Sequence, residues 1–204
     1  MVRNRASAHR DIARFDRWAD TYDRSYLQQL VFEPVHEALG LALGPLDALL
    51  VLDVGCGTGI LTQALARRSA RAVGVDPAPR MVAKARENRA DVSATYVVAT
   101  AESLPFADSS FDAATASFTV HHWRDAGRGI AELARVLRSG GRLAIADMDL
   151  PSPARWLLRL VGSPHAGWTR RELADLLYRS GFSRVRAMTR GPLGPKLPIV
   201  CADR

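Results

Sequence analysis

The stretch Val51-Leu52-Asp53-Val54-Gly55-Cys56-Gly57-Thr58-Gly59 decides how the rest of the chain is interpreted. Its apolar pattern predicts a buried strand over residues 49–54, and the pattern after it predicts a helix over residues 60–68. The three alternate glycines therefore form the turn between strand and helix. Glycine permits left-handed backbone angles and close approach of a ligand, and the helix that follows begins with free N–H donors. We expect a nucleotide-type ligand at this turn.

A second predicted strand, residues 72–75, supports this interpretation because it ends at Asp76. An acidic residue at about this distance from a glycine turn accepts hydrogen bonds from ribose hydroxyls. The spacing differs from the G-x-G-x-x-G pattern of dinucleotide-binding proteins, since Gly59 comes one place early and Ile60 fills the expected position. Turn and carboxylate together predict an adenosine-like ligand. The alternatives are a turn that only connects two elements and an enzyme that uses a nicotinamide dinucleotide.

Strands and helices alternate through the middle of the chain. Further strands are predicted at residues 95–99, 112–117 and 142–146, and further helices at residues 77–88 and 126–137. Asp125 is a suitable cap for the second of these helices, which we expect to end at Ser139-Gly140-Gly141. This alternation implies right-handed crossovers and a parallel sheet, in which ligands bind beyond the carboxyl ends of the strands.

The last part of the sequence predicts that the sheet ends in a hairpin and not in another parallel strand. Thr169 and Glu172 are spaced as a capping box for a helix over residues 170–179. Strands over residues 185–189 and 197–202 follow and most simply form a hairpin. The predicted fold class is α/β: a Rossmann-like, seven-stranded, mostly parallel sheet with an antiparallel last strand, helices on both faces and an N-terminal helical lid.

We expect one domain over residues 1–204. It would comprise a helical cap (1–45), a cofactor-binding core (46–150) and acceptor-side helices and strands (151–204). In the cap an apolar stripe at helical spacing consists of Ile12, Phe15, Ala19 and Tyr22. Its two interpretations are packing against the core and closure over a ligand.

Several motifs resemble one enzyme family. They are the nine-residue run quoted above, Asp76-Pro77, Ala101-Glu102-Ser103-Leu104-Pro105-Phe106 and Phe111-Asp112. Together they resemble the class I S-adenosylmethionine-dependent methyltransferases, above all the branch with the ubiquinone/menaquinone C-methyltransferases and many small-molecule methyltransferases. The resemblance extends from about Phe15 to Asp147. It implies that S-adenosyl-L-methionine is the cofactor, that S-adenosyl-L-homocysteine is its product, and that a small molecule is methylated on an undetermined O, N or C atom.

The resemblance also implies a cofactor site. Asp53 and nearby backbone groups would hold the methionine part, Asp76 the ribose, and Tyr22 would belong to the lid. The complete expected set is Tyr22, Asp53, Gly55, Cys56, Gly57, Gly59, Asp76, Pro77, Met81, Thr100, Ala101, Glu102 and Ser117. The family has an acidic residue just before Ala101 that accepts from the adenine amino group, whereas this chain has Thr100. Thr100, Glu102 or a backbone carbonyl would take that role.

His121 and His122 are the expected catalytic residues, because the fold would put them beside the transferred methyl group. The alternative is that one of them only makes hydrogen bonds within its loop. Asp147 and Asp149 are poorer candidates for a base. No metal site is expected, since no third ligand of suitable spacing accompanies the two histidines.

Composition and charge restrict the function further. The formal net charge is +7, nearly all from arginine, but the basic residues are scattered rather than clustered, so a nucleic-acid partner is not expected. The N-terminus has no apolar signal-peptide core, and a cytoplasmic location is the default expectation. An amphipathic segment over residues 151–167 would serve as a lid, a connector or a weak membrane-surface contact. Because of Thr100, a non-catalytic adenosyl-binding protein or partner subunit stays an alternative. The oligomeric state is not predicted.

Overall fold

The computed structural model describes residues 5–22, 26–69, 71–88, 93–148, 153, 156, 167–190 and 197–204. Within these ranges the chain forms six α-helices and one seven-stranded sheet. The helices are α1 (Arg5–Trp18), α2 (Tyr26–Ala42), α3 (Ile60–Ala66), α4 (Pro79–Glu87), α5 (Ala126–Val136) and α6 (Arg170–Arg179). The strands are β1 (Leu50–Val54), β2 (Arg71–Asp76), β3 (Ala94–Val98), β4 (Phe111–Ser117), β5 (Leu137–Ala146), β6 (Ser183–Arg190) and β7 (Leu197–Asp203).

The strand order is β3-β2-β1-β4-β5-β7-β6. Strands β1 to β5 pair in parallel, whereas β7 runs antiparallel to both β5 and β6. The predicted fold class is confirmed, including the antiparallel last strand. The chain order reverses between β1 and β4, and in open α/β sheets this reversal opens a crevice at the carboxyl ends of the strands.

Two apolar clusters cover the two faces of the sheet, as expected when helices pack on both sides. Leu52 and Val54 belong to one cluster with residues of α5, while Val51 between them belongs to the other with residues of α2 and α3. This alternation follows from the two-residue period of side chains along a strand. The core therefore holds the carboxyl end of β1 rigidly in the centre of the sheet.

In the described part of the chain, no helix combines the length and the apolar character needed to cross a bilayer.

One predicted boundary is wrong. Helix α5 ends at Val136 and β5 begins at Leu137, so Ser139-Gly140-Gly141 lies within the strand instead of ending the helix. The register between β4 and β5 shifts at this point, and Gly140 adopts φ 75°. Two hydrogen bonds with Arg204 explain the difference. Gly140 N donates to Arg204 O at 2.7 Å, and Arg204 N donates to Gly141 O at 2.9 Å, so Arg204 pairs with this irregular segment.

Other predictions are confirmed or lie outside the described residues. Asp125 accepts from Arg128 N, and Thr169 with Glu172 forms the capping box of α6. Helix α1 ends at Trp18, before Ala19 and Tyr22 of the apolar stripe. The segment 151–167, apart from a few single residues, and Asp149 lie outside the described residues.

The glycine turn owes its shape to positive backbone angles and to the neighbouring strand. Gly55, Gly57 and Gly59 have φ values of 79°, 51° and 87°. Gly55 N and Cys56 N both donate to Val75 O, at 2.7 and 3.0 Å. A Cβ on Gly55 would overlap the side chain of Thr119, whose Cγ2 lies 2.8 Å from that position. The turn therefore requires glycine at Gly55 for both its backbone angle and its close packing.

We expect Gly55→Ala to lower the free energy of unfolding by more than Gly140→Ala does. Both residues have positive φ, but nothing lies within 4 Å of a Cβ placed on Gly140. The control, Gly140→Ala, should therefore lose only about 1 kcal/mol of stability, which is the strain of an alanine in the left-handed region. Gly55→Ala should lose a further 1–3 kcal/mol, roughly, through overpacking. Equal losses in chemical denaturation would show that Thr119 does not constrain the turn.

Candidate functional site

A cavity of about 230 Å³ lies at the carboxyl ends of the central strands, where the crevice was expected. We call it the first cavity. Residues that follow β1, β2, β3 and β4 line it, and residues of α1 cover it. Ten of the thirteen predicted cofactor residues line it: Tyr22, Gly55, Gly57, Asp76, Pro77, Met81, Thr100, Ala101, Glu102 and Ser117. Parallel strands bring these distant segments together because their carboxyl ends meet at one edge of the sheet.

A second cavity of about 260 Å³ lies on the other side of the glycine turn, against α2. It shares Tyr22, Gly55, Gly57 and Ser117 with the first cavity, and Asp53 and Cys56 line it as well. Gly59 lines neither cavity and instead forms the N-cap of α3. The structure thus brings twelve of the thirteen predicted residues to the two adjoining cavities.

Asp76 is the best-anchored polar group of the first cavity. Its Oδ2 accepts from Gly57 N at 3.0 Å and its Oδ1 accepts from Ala78 N at 2.8 Å. Burial raises the pKa of the carboxyl to about 6, although both N–H donors oppose this shift. Each carboxylate oxygen can accept more than one hydrogen bond, so Asp76 can still receive hydroxyl groups of a ligand.

Asp53 forms part of the second cavity and is only 1% exposed. It accepts from Thr62 Oγ1 at 2.6 Å and from Thr115 Oγ1 at 3.1 Å. Burial outweighs these hydrogen bonds and raises its pKa to about 6. Burial also raises the pKa of the nearby Cys56 thiol, and the carboxylates Asp76 and Asp53 add to this effect. Cys56 is therefore a packing residue of the turn and a poor nucleophile.

The predicted adenine contacts lie together at the end of β3. Thr100 is exposed, whereas Ala101 is buried. Glu102 is oriented by the start of α5, because its Oε1 accepts from Asp125 N at 3.0 Å. Met81 lines the first cavity and also packs in a small buried cluster with Ala19 and Ala78, so it serves the core and the cavity together.

The two predicted catalytic histidines lie in different environments. They belong to a short 3-10 turn, Val120–His122, and their ring centroids are 4.0 Å apart. His121 is buried, and its Nδ1 lies 2.5 Å from Asp147 Oδ1. His122 lines the first cavity, while His121 and Asp147 line neither cavity. The geometry therefore favours His122 as the group that can reach a ligand, with His121 holding the turn in place.

Sequence reasoning missed Asp11 as a site residue. Asp11 lines the first cavity, and its Oδ2 lies 3.2 Å from His122 Nδ1. Phe15, one helical turn further, packs edge-on against the His122 ring with centroids 4.9 Å apart. The helical spacing of Asp11 and Phe15 was visible in the sequence. Their partner His122 was not, because it is 111 positions away from Asp11.

Helix α1 is the predicted lid. Ile12 and Phe15 of this helix line the first cavity, as does Tyr22 shortly after its end. The helix is tied to the start of α4, because Arg80 N donates to Asp16 Oδ1 at 2.9 Å. The lid thus covers the same edge of the sheet that carries Asp76.

We expect the free energy of unfolding of the wild type to fall, relative to Asp53→Asn, as the pH rises from about 4 to 7. The folded-state pKa of Asp53 is about 6, against an ordinary value of 3.8. The folded protein therefore holds this proton more tightly than the unfolded chain does. The stabilisation is complete below the ordinary pKa and is lost as the pH passes 6. The relative loss should be on the order of 2 kcal/mol in urea denaturation. If the free energies of unfolding of the wild type and Asp53→Asn change in parallel with pH, the prediction is wrong.

Comparisons with known proteins agree with this geometry. Residues 52–145 match the family model of a methyltransferase domain. A demethylmenaquinone methyltransferase of Thermobifida fusca is 35% identical over 175 residues, which cover 81% of this chain and 74% of that protein. A ubiquinone biosynthesis O-methyltransferase of Hahella chejuensis is 35% identical over 164 residues, which cover 76% of this chain and 68% of that protein. The chain spans only 50% of the length of an uncharacterized methyltransferase of Mycobacterium tuberculosis that it also matches.

A solved structure supports the fold independently. A SAM-dependent methyltransferase of Aquifex aeolicus superimposes with a TM-score of 0.73 at 22% identity, covering 92% of this chain and 97% of that one. The sheet order, the glycine turn with Asp76 and the extent of the matches lead to one conclusion: the chain belongs to the class I S-adenosyl-L-methionine-dependent methyltransferases.

Proposed function

We propose that this protein transfers the methyl group of S-adenosyl-L-methionine to a small hydroxylated aromatic acceptor, and that the two cavities together bind cofactor and acceptor. The observation that carries the proposal is the Asp76 carboxylate, which Gly57 N and Ala78 N hold at the edge of the first cavity. A carboxylate in this position suits the two hydroxyls of a ribose.

The residues present fit the cofactor. In the proposed arrangement Asp76 holds the ribose, Ala101 N–H and an oxygen of Thr100 or Glu102 hold the adenine, and Asp53 holds the amino-acid end. Among the described residues the buried Ser117 hydroxyl has no hydrogen-bond partner, and it lies where both cavities meet. An unsatisfied buried hydroxyl in a binding cavity is readily explained by a ligand that completes its hydrogen bonding.

The bound cofactor supplies a methyl group on a sulfonium, which already has an excellent leaving group. The protein therefore contributes mainly alignment and exclusion of water. Ile12, Phe15 and Tyr22 of the lid region provide an apolar cover over the first cavity. We propose that this cover keeps water away from the reacting atoms.

His122 is the proposed base for the acceptor. Its ring lines the first cavity, and Asp11 next to Nδ1 would stabilise the imidazolium that forms when His122 takes a proton. A base is needed for a hydroxyl or an acidic carbon, and a hydroxyl acceptor agrees with the name of the ubiquinone biosynthesis O-methyltransferase. Phe15, Phe118 and Trp123 supply aromatic walls to the same cavity, which suits a ring-shaped acceptor.

The other expectations are less favoured or remain predictions. Neither a non-catalytic adenosyl-binding protein nor a nicotinamide enzyme is favoured, since the two quinone-related relatives are named methyltransferases and Gly59 departs from the dinucleotide spacing. Cytoplasmic location and a weak membrane-surface contact remain predictions.

Calorimetric titration tests the cofactor. We expect S-adenosyl-L-methionine and S-adenosyl-L-homocysteine to bind in the micromolar range, and NAD not to bind. Thr100→Asp should tighten binding of S-adenosyl-L-homocysteine several-fold, because a charged acceptor strengthens the hydrogen bond to the adenine amino group. Thr100→Asn is the uncharged control. Binding of NAD alone would overturn the proposal, and unchanged affinity of Thr100→Asp would assign the adenine amino group to Glu102 or to the backbone.

Replacing His122 and His121 one at a time tests which of them is the base and which has a structural role. We expect His122→Ala to lower kcat/KM at least about a hundredfold with a hydroxylated naphthoquinol or catechol acceptor, with little change in S-adenosyl-L-homocysteine affinity. His121→Ala should mainly lower the melting temperature, because it leaves Asp147 buried without its ring partner. Turnover by His122→Ala that matches the wild type across pH would exclude His122 as the base.

A further inference from the structure

One wall of the second cavity carries no predicted site residue. This wall is formed by Phe32, Glu33 and His36 of α2, and it faces the glycine turn. The cavity adjoins the first one along the turn, since Gly55, Gly57 and Ser117 line both. A ligand with one end in the first cavity can therefore reach the wall of α2 with its other end.

Two polar atoms of residues that line this cavity are buried without a hydrogen-bond partner among the described residues. They are Nδ1 of His36 and Oγ of Ser117. Both atoms are closed to solvent in this structure, so a ligand reaches them only after a small rotation of the side chains toward the cavity. Burying a polar group without a partner is unfavourable, and a ligand in the cavity that satisfies both atoms therefore favours this rotation. Burial lowers the pKa of His36 to about 4, so the imidazole is neutral at physiological pH. Neutral imidazole can donate one hydrogen bond from Nδ1.

The charges of the cavity indicate which end of the cofactor it holds. This step rests on the proposed function, in which the adenosine part lies beside Asp76 in the first cavity. The remaining part is an amino acid with an ammonium and a carboxylate. The buried carboxylate of Asp53 suits the ammonium, whereas the ligand carboxylate needs donors. No lysine or arginine of the described chain lines this cavity, so the available side-chain donors are neutral.

We propose that His36 is a cofactor-binding residue, which donates a hydrogen bond from Nδ1 to the carboxylate of the cofactor's amino-acid end, with the Ser117 hydroxyl as second donor. His36 thereby makes the site select adenosyl ligands that carry an amino-acid end. Glu33 also lines the cavity, but it is exposed, so solvent screens its charge from the ligand carboxylate. Phe32 packs against Phe118, with ring centroids 4.6 Å apart, and so holds this wall in place.

The test compares two ligands that differ only at the amino-acid end. S-adenosyl-L-homocysteine carries that end, and 5′-methylthioadenosine lacks it. By calorimetry, His36→Leu should weaken S-adenosyl-L-homocysteine binding at least about tenfold, because a hydrogen bond to a charged group is lost. Its affinity for 5′-methylthioadenosine should stay within about twofold of the wild type. His36→Asn is the matched control, since its amide nitrogen lies close to the position of Nδ1, and it should recover most of the affinity.

Unchanged S-adenosyl-L-homocysteine affinity in His36→Leu, or equal losses for both ligands, would overturn the inference. Normal cofactor affinity with a raised KM for the acceptor would overturn it as well, because His36 would then contact the acceptor. Failure of the wild type to bind either ligand would instead overturn the proposed function.

NMR of wild-type protein with ¹⁵N-labelled histidine covers the case in which the variants do not fold. S-adenosyl-L-homocysteine should shift the Nδ1 signal of His36 to that of a hydrogen-bonded N–H, and 5′-methylthioadenosine should not. An Nδ1 signal that both ligands leave unchanged would contradict the assignment.

Discussion

The Asp76 carboxylate is the constraint on which the site depends. Its two oxygens accept from Gly57 N in the turn after β1 and from Ala78 N just before α4. One side chain thereby fixes the relative positions of two neighbouring strand ends. Because the same carboxylate is buried, its pKa is raised to about 6, and its N–H partners keep it ionised in neutral solution. The group that holds the turn in shape is also the group proposed to bind ribose.

The glycine turn illustrates how backbone geometry and packing act together. Positive φ at Gly55, Gly57 and Gly59 lets the chain reverse between β1 and α3. Gly55 also leaves no room for a side chain because Thr119, which follows β4, lies against it. Strands β1 and β4 are neighbours at the point where the sheet order reverses. The turn is therefore pressed against the loop that carries the two histidines, and this contact places the proposed base beside the proposed cofactor site.

Each of the two adjacent histidines has a carboxylate partner, but burial gives the pairs different roles. His121 and Asp147 are both buried and line neither cavity, so their pair stabilises the turn between β4 and α5. His122 and Asp11 line the first cavity. Asp11 belongs to the lid helix, and in the proposed function docking of the lid both excludes water and completes the environment of the base. The exclusion of water and the environment of the base then depend on the same helix.

The sequence by itself determined the order of strands and helices, the antiparallel end of the sheet, the glycine turn and the place of Asp76. These features depend on side-chain periodicity and on the conformational freedom of glycine, which act over a few neighbouring residues. The irregular start of β5 was not predictable, because Gly140 and Gly141 pair with the distant Arg204. Only the tertiary structure decided that His122 rather than His121 faces the first cavity, that Asp11 lies beside it, and that His36 lines the second cavity. Those positions depend on packing between segments far apart in the chain, which local sequence patterns do not record.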